Sequence, residues 1–383
     1  MAPKAYLGIA FGNSSLKLAQ TSQDEKIVRC TAAPIPDGIM QGGRIAAWDG
    51  AADFLKETIK KEGFTAKHAA FVIPEEAIFQ RRTTLPLMNT QVLQTNLPYE
   101  FHDFITDDKD AYYYDYSLIT RTDKEMTLNA VAVSKKEMGR LDALCRSARL
   151  RLMQATPRSR AISNLFHQMA PDVVRNDFAV LDLGATGTRI DIYSGGFYQV
   201  TRTIETGGNA IRDAIARELD IDPHIAEVRL RENQDDVLGL PSCRDIYGSI
   251  AVDIMHAINY YVFEHHDNTL ETMYYFGGNA HNGYLMSEIA DIVPLELMPL
   301  SELKMSDCMD GEALVTSAPA IGICWNKEFF PGRVFGPEGL VEDEPAPGKS
   351  SVRTNVFGDG GEEDKKAKKM KSKGGGIFGR KKG

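Results

Sequence analysis

Four glycine-bearing turns carry the residues that could do chemistry in this 383-residue chain. The first is Gly12, Asn13, Ser14 and Ser15, set between the apolar runs "LGIAF" and "LKLAQ". A tight turn of Gly, Asn and hydroxyl residues aims several backbone N–H groups in one direction and makes a concavity that suits an anion. Lys17 follows on the next strand, where alternation serves a phosphate contact and a solvated strand residue equally. Alone, this stretch reads as an ordinary hairpin, because hairpin turns prefer the same residues. The second turn, "DLGATGTR", contains Asp182, Gly184, Ala185, Thr186, Gly187 and Thr188. There a carboxylate can reach a Mg2+-bound water while both threonines face the same phosphates. A carboxylate that ends the apolar run "FAVLDL" is costly unless something pairs with it, and a ligand or metal is the simplest partner. Gly207 and Gly208 lead into a helix whose free N–H groups favour negative charge. Gly277, Gly278 and Asn279 end an apolar strand, where a Gly pair lets a flat ring approach the backbone. Each turn alone is a weak signal, and the order and spacing of all four is a specific one.

Short strands and amphipathic helices must position these turns. Residues 5–33 read as three successive strands, followed by a helix at 47–62 and a strand ending at Pro74. From 75 to 149 the pattern changes to strand, broken helix, hairpin and helix, a small inserted α+β unit. "AYYYDYSL" within it reads as a strand packing its rings against the unit's own helix. Residues 177–335 open again with strand, Gly-rich turn, strand, strand and helix. Setting Gly12 over Gly184 places Ser14 over Thr186 and Lys17 over Arg189, an internal repeat that implies two related halves. The first half is expected at 1–74 plus 150–176 and the second at 177–335. A long helix at 243–265 and a last helix over "EALVTSAPAIGICW", broken at Pro319, complete the second. Residues 336–383 lose periodicity and read as a disordered acidic linker and a basic tail.

The net charge of −9 conceals an asymmetry, since residues 365–383 hold nine Lys/Arg and no acid, leaving a balance of −18 on the rest. A body that acidic argues against a broad nucleic-acid surface. The tail is suited to weak contact with an anionic membrane or to folding back on the acidic body. The five cysteines are scattered singly, which reads as reduced thiols in a cytoplasmic protein, and no apolar run is long enough to span a bilayer. The eight histidines show no metal-ligand spacing.

With these motifs in order, the chain resembles the actin-like ATPase superfamily. "IAFGNSSLKL" matches its first phosphate loop, "VLDLGATGTRIDI" the second and "YYFGGNAHNG" the adenosine loop; "ATPRSRAISNLFH" and "TSAPAIGICW" match its two connecting helices. Within that superfamily it is similar to the type IV pilus assembly PilM family over about residues 5–326. The resemblance implies an α/β, actin-like (ribonuclease H-like) bilobed fold, with two duplicated βββαβαβα halves and the small inserted subdomain. It implies ATP and Mg2+ held by the four turns, the metal through a water on Asp182, with Asp253 and His256 of the long helix near the nucleotide. It further implies a groove beside the insert for the cytoplasmic tail of a PilN-type membrane protein. A cytoplasmic location at the inner face of the membrane, contacts with pilus motor ATPases or platform proteins, and self-association follow from it as well. Ala10 stands where the family usually has Asp, and Asp253 and His256 where it usually has Glu and Arg, so ATP hydrolysis is expected to be slow or absent. Two rival readings share the fold. One is an FtsA-like polymerising division protein, against which the tail lacks an apolar stripe. The other is a small-molecule kinase, which needs a catalytic Asp that nothing between Phe71 and Phe166 recommends.

Overall fold

The computed structural model describes residues 5–106, 108–303 and 311–325, with two short paired strands at 334–335 and 341–343. The rest of the expected acidic linker and basic tail lies outside the described residues. Chain order runs β1 Tyr6–Phe11, β2 Ser15–Thr21, β3 Ile27–Pro34, the small hairpin β4 Met40–Gln41 and β5 Arg44–Ile45, α1 Trp48–Lys61 and β6 His68–Ile73. Next come β7 Ile78–Pro86, α2 Thr90–Asn96, β8 Tyr112–Arg121, β9 Glu125–Ser134, α3 Lys135–Ser147, β10 Arg151–Pro157 and α4 Arg158–Met169. The second half holds β11 Phe178–Leu183, β12 Thr188–Ser194, β13 Phe197–Ile204, α5 Gly208–Leu219, α6 Pro223–Glu232 and α7 Pro241–Glu264. It closes with β14 Thr272–Phe276, α8 Gly283–Ile292, β15 Glu296–Pro299 and α9 Gly311–Gly322.

Two five-stranded sheets, β10-β6-β1-β2-β3 and β15-β14-β11-β12-β13, have the same order when corresponding strands are matched. The repeat extends to register: Ala10 pairs with Lys17 on β1 and β2, and Asp182 pairs with Arg189 at the same place on β11 and β12. Strand alternation then builds five layers. Leu7, Ile9 and Phe11 of β1 face a core shared with α1 and α3, while Ala10 faces α4 and α9. On β11, Phe178 and Val180 point into that same middle layer, and Ala179, Leu181 and Leu183 point to α5, α7 and α8 on the far side. The connecting helices α4 and α9 are therefore sandwiched between the sheets. Small residues allow it: a Cβ on Gly8 would overlap the Ala320 carbonyl, and one on Gly322 would overlap the Ala161 carbonyl.

The expected break at Pro319 is present. Ser317 leaves helical geometry at φ −130° and ψ 18° inside α9. Proline has no N–H to return to the carbonyl four residues back, which is that of Val315. That carbonyl accepts instead from the backbone N–H of Gly277 at 2.9 Å, and so fastens α9 to the turn after β14.

The inserted unit is the antiparallel sheet β7-β9-β8. Met126, Leu128, Ala130 and Ala132 on one face of β9 pack on Leu93, Leu97 and Phe101, and Tyr112 and Tyr114 join that cluster. The boundary expected at 149 needs correction. Helix α3 buries Met138, Leu141, Leu144 and Cys145 in the core that contains α1 and β1, so it packs with the first half and the separate insert core ends with β9. Among the described residues no helix is long and apolar enough to cross a membrane.

Candidate functional site

Strands β1, β6 and β10 run parallel, as do β11, β14 and β15, so the segments leaving their carboxyl ends gather at one edge of each sheet. Gly12 follows β1, Glu75 and Glu76 follow β6, Arg158 follows β10, Gly184 follows β11 and Gly277 follows β14. Between the two edges lies a cleft of about 800 Å³, a size that suits a small-molecule ligand. Its walls include Gly12, Asn13, Ser14, Ser15, Lys17, Asp182, Gly184, Ala185, Thr186, Gly187, Gly208, Gly277, Gly278 and Asn279. The two related turns meet across it, Asn13 Nδ2 donating to Thr186 Oγ1 at 2.6 Å over a sequence separation of 173.

The turns of the second half interlock through backbone. Asn279 Nδ2 donates to the Gly184 carbonyl at 2.8 Å, and its N–H donates to the Leu183 carbonyl at 3.2 Å. Gly277 has φ +115° and its Cβ would overlap Leu183, so glycine is required there. At Gly278 a Cβ would meet nothing within 4 Å, which leaves the adjoining cleft wall open.

Several expected site residues lie elsewhere. Thr188 is buried and turned away from the cleft, its hydroxyl donating to the Thr206 carbonyl at 3.0 Å. The N–H groups of Gly208 and Asn209 are not free for an anion, because they donate to the carbonyls of Gly184 and Ala185 at 3.1 and 2.8 Å. Gly207 serves that contact: a Cβ on it would stand 2.6 Å from the Gly184 carbonyl oxygen. Asp253 and His256 project to solvent from α7, whose other face is buried through Ile250, Ile254 and Ile258, and neither lines the cleft.

The charges at the turns form one network. Arg158, 6% exposed, lies within 3.0 Å of Asp191, 3.3 Å of Asp182 and 3.4 Å of Glu75. Arg189 reaches Glu75 at 3.2 Å and Glu76 at 2.6 Å. Burial opposes the Arg158 charge, but Asp191, Glu75 and Asp182 together hold it above the ordinary arginine range. Burial also pushes the Asp191 carboxyl up to about 6, against the pull of Arg158 and a hydrogen bond from Thr201. Lys17 is held below its ordinary range by burial, with Asp182 opposing that shift. Its Nζ sits at the first turn, 2.7 Å from where a Gly12 Cβ would be.

Sequence reasoning missed Arg158. A cation in the first turn of α4 opposes the helix dipole, and that misfit was the signal that acids had to surround it. The donors do not fit a divalent ion at Asp182. That carboxylate is paired with Arg158, Ala10 leaves the first turn without an acid, and among the described residues no group of three or more His, Cys, Asp or Glu has metal-holding geometry.

A second, narrow groove of about 80 Å³ lies between the insert and the two halves. The face of β9 opposite the insert core gives it Asn129, Val131 and Val133; β8 gives Tyr113, Asp115 and Ser117; α4 gives Ser159, Arg160 and Ser163. Asn129 Nδ2 donates to the Tyr198 carbonyl at 3.0 Å, while its Oδ1 is buried with no hydrogen-bond partner. Burial raises the Asp115 carboxyl to about 7, offset by the Tyr116 N–H and by Arg160.

Matched sheets around two connecting helices, with glycine turns facing each other over a ligand-sized cleft, define an actin-like α/β protein. A family model described as Type IV pilus assembly protein PilM matches residues 8–321, and the chain belongs to that family. Among solved structures it is similar to the PilM-PilN type IV pilus biogenesis complex, with TM-score 0.72 at 18% identity, covering 83% of this chain and 97% of that one. It is also similar to the ethanolamine utilization protein EutJ from Carboxydothermus hydrogenoformans, with TM-score 0.54 at 16% identity, covering 84% of this chain and 91% of that one. At these identities the likeness speaks for the fold.

Proposed function

We propose that this chain is a cytoplasmic, ATP-binding adaptor of the type IV pilus assembly platform. It holds the cytoplasmic tail of a PilN-type membrane protein in the groove beside the insert and makes that contact depend on nucleotide. One observation carries the reading: the first turn of α4 serves both sites. Arg158 lines the cleft, while Ser159 and Arg160 line the groove, and Ile73 lines both. Ser159 is itself tied to the insert and to the second half, its hydroxyl donating to Gln80 Oε1 at 3.1 Å and its carbonyl accepting from Tyr193 at 2.9 Å. A ligand that moves Arg158 therefore moves the groove wall, and a peptide bound differently in the two arrangements is coupled to it.

The chemistry of each site supports its ligand. The cleft wall offers the hydroxyls of Ser14, Ser15 and Thr186, with Lys17, to phosphates, and Gly278 leaves room for a flat base. The groove is largely apolar, which suits apolar side chains of a peptide. Slow or absent hydrolysis is the expectation, since three of the carboxylates on the cleft wall, Glu75, Glu76 and Asp182, are ion-paired with arginine.

The test is fluorescence anisotropy of a labelled PilN-type cytoplasmic peptide, titrated with and without ATP. Affinity is expected to change by at least about fivefold between the two conditions, the lower end of ordinary coupling energies. Ser117→Trp, which fills the groove, is expected to abolish binding in both. Peptide binding that ignores both ATP and the groove substitution overturns the reading.

A further inference from the structure

The carboxylates of Glu75, Asp182 and Asp191 come from three separate segments of the chain and converge on one point. Buried acids need a cation beside them, and these three, which have no metal-holding geometry, have one from the chain itself. Here the point is filled by the Arg158 guanidinium, with Nη1 3.3 Å from Asp182 and Nη2 3.4 Å from Glu75 and 3.0 Å from Asp191. A guanidinium does not deprotonate in proteins, and one carried on the chain cannot dissociate. In the first half, Ala10 occupies the register position that Asp182 holds in the second, so no carboxylate faces Lys17 from β1. A divalent ion entering between the turns would meet this ammonium and this guanidinium, and would have to take Asp182 from Arg158.

We propose that Arg158 is a resident cation that replaces the divalent metal in this cleft, so that the chain takes nucleotide phosphates metal-free, against Lys17 and the two glycine turns. The proposal rests on the nucleotide reading of the cleft. Its net effect is to exchange a metal, which varies with supply, for a cation whose position is set by α4.

The full chain is titrated calorimetrically with ATP in EDTA and again in excess MgCl2. Binding in EDTA is expected to be as tight as in MgCl2 or tighter, and Lys17→Met is expected to weaken the EDTA titration by about tenfold or more. Binding weaker in EDTA by more than about threefold overturns the metal-free proposal and leaves the nucleotide reading standing. Absence of binding in both buffers overturns the two together. A nucleotide-free arm follows Mn2+ uptake by electron paramagnetic resonance. The wild-type chain is expected to take up no ion at Asp182. Uptake by the wild type that Asp182→Asn abolishes overturns the proposal.

Discussion

At the residue scale, the site depends on which side chains are held away from water and by what. Asp115 has a raised pKa of about 7, so the folded chain binds more protons than the unfolded one between the ordinary Asp value and about 7. Its contribution to stability is complete below about pH 4 and is lost as pH rises through about 7. Asp115→Asn, neutral throughout, is expected to raise the melting temperature at about pH 8, by a stability gain on the order of a few kcal/mol, and to converge with wild type near pH 4. Gly278 tests the cleft without disturbing the core. Its Cβ would meet open space and its φ is not left-handed, so Gly278→Val is expected to change stability by about 0.5 kcal/mol or less. The same substitution is expected to weaken ATP binding at least about tenfold, a steric cost of about 1.4 kcal/mol or more. The glycine turns were legible in the sequence because turn backbone dictates its own residues. Arg158 was not, since its partners lie 24, 33 and 83 positions away.

At the element scale, α9 shows how one residue type sets a long-range contact. Pro319 frees the Val315 carbonyl, which the Gly277 N–H then occupies at 2.9 Å. Pro319→Ala restores a helical donor that competes for that carbonyl. Amide exchange at Gly277 is expected to quicken by about tenfold, the scale of one net hydrogen bond, with hydrogen-exchange mass spectrometry as the measurement. The sequence predicted a break at this proline, and the break is there. What it left open is where the freed carbonyl would go, because helix patterning carries no information about a strand end 38 positions earlier. Helix α3 makes the same point about boundaries. Its apolar face was visible as periodicity, but only packing decides which of two neighbouring cores takes Met138, Leu141 and Leu144.

At the scale of the whole molecule, the halves are held together at the cleft mouth by polar contacts. Asn13 meets Thr186, and Arg189 meets Glu75 and Glu76. A ligand that contacted both turns would link its binding to their closure. The Arg189 pair with Glu76 is partly exposed, and such pairs contribute about 0–1 kcal/mol. Glu76→Gln is therefore expected to enlarge the open population by about fivefold at most, seen as faster amide exchange in residues 12–15 and 184–187 with an unchanged melting transition. Saturating ATP is expected to slow exchange in both turns of the wild type.

By itself, the sequence determined the two halves, the four glycine turns and the inserted unit, because alternation, glycine and proline act through local backbone preferences that the order of residues states directly. The matching of Ala10 to Asp182 is of that kind: one offset aligns Gly12 with Gly184 and Lys17 with Arg189, and the strand register repeats it. Only the tertiary structure decided that Asp182 has an arginine for its partner, that Asp253 and His256 stand outside the cleft, and that the first turn of α4 lines both the cleft and the groove. The physical reason is that a buried charge is satisfied by whatever group the folded chain brings within a few ångströms, and groups from distant segments meet there only after the layers have packed.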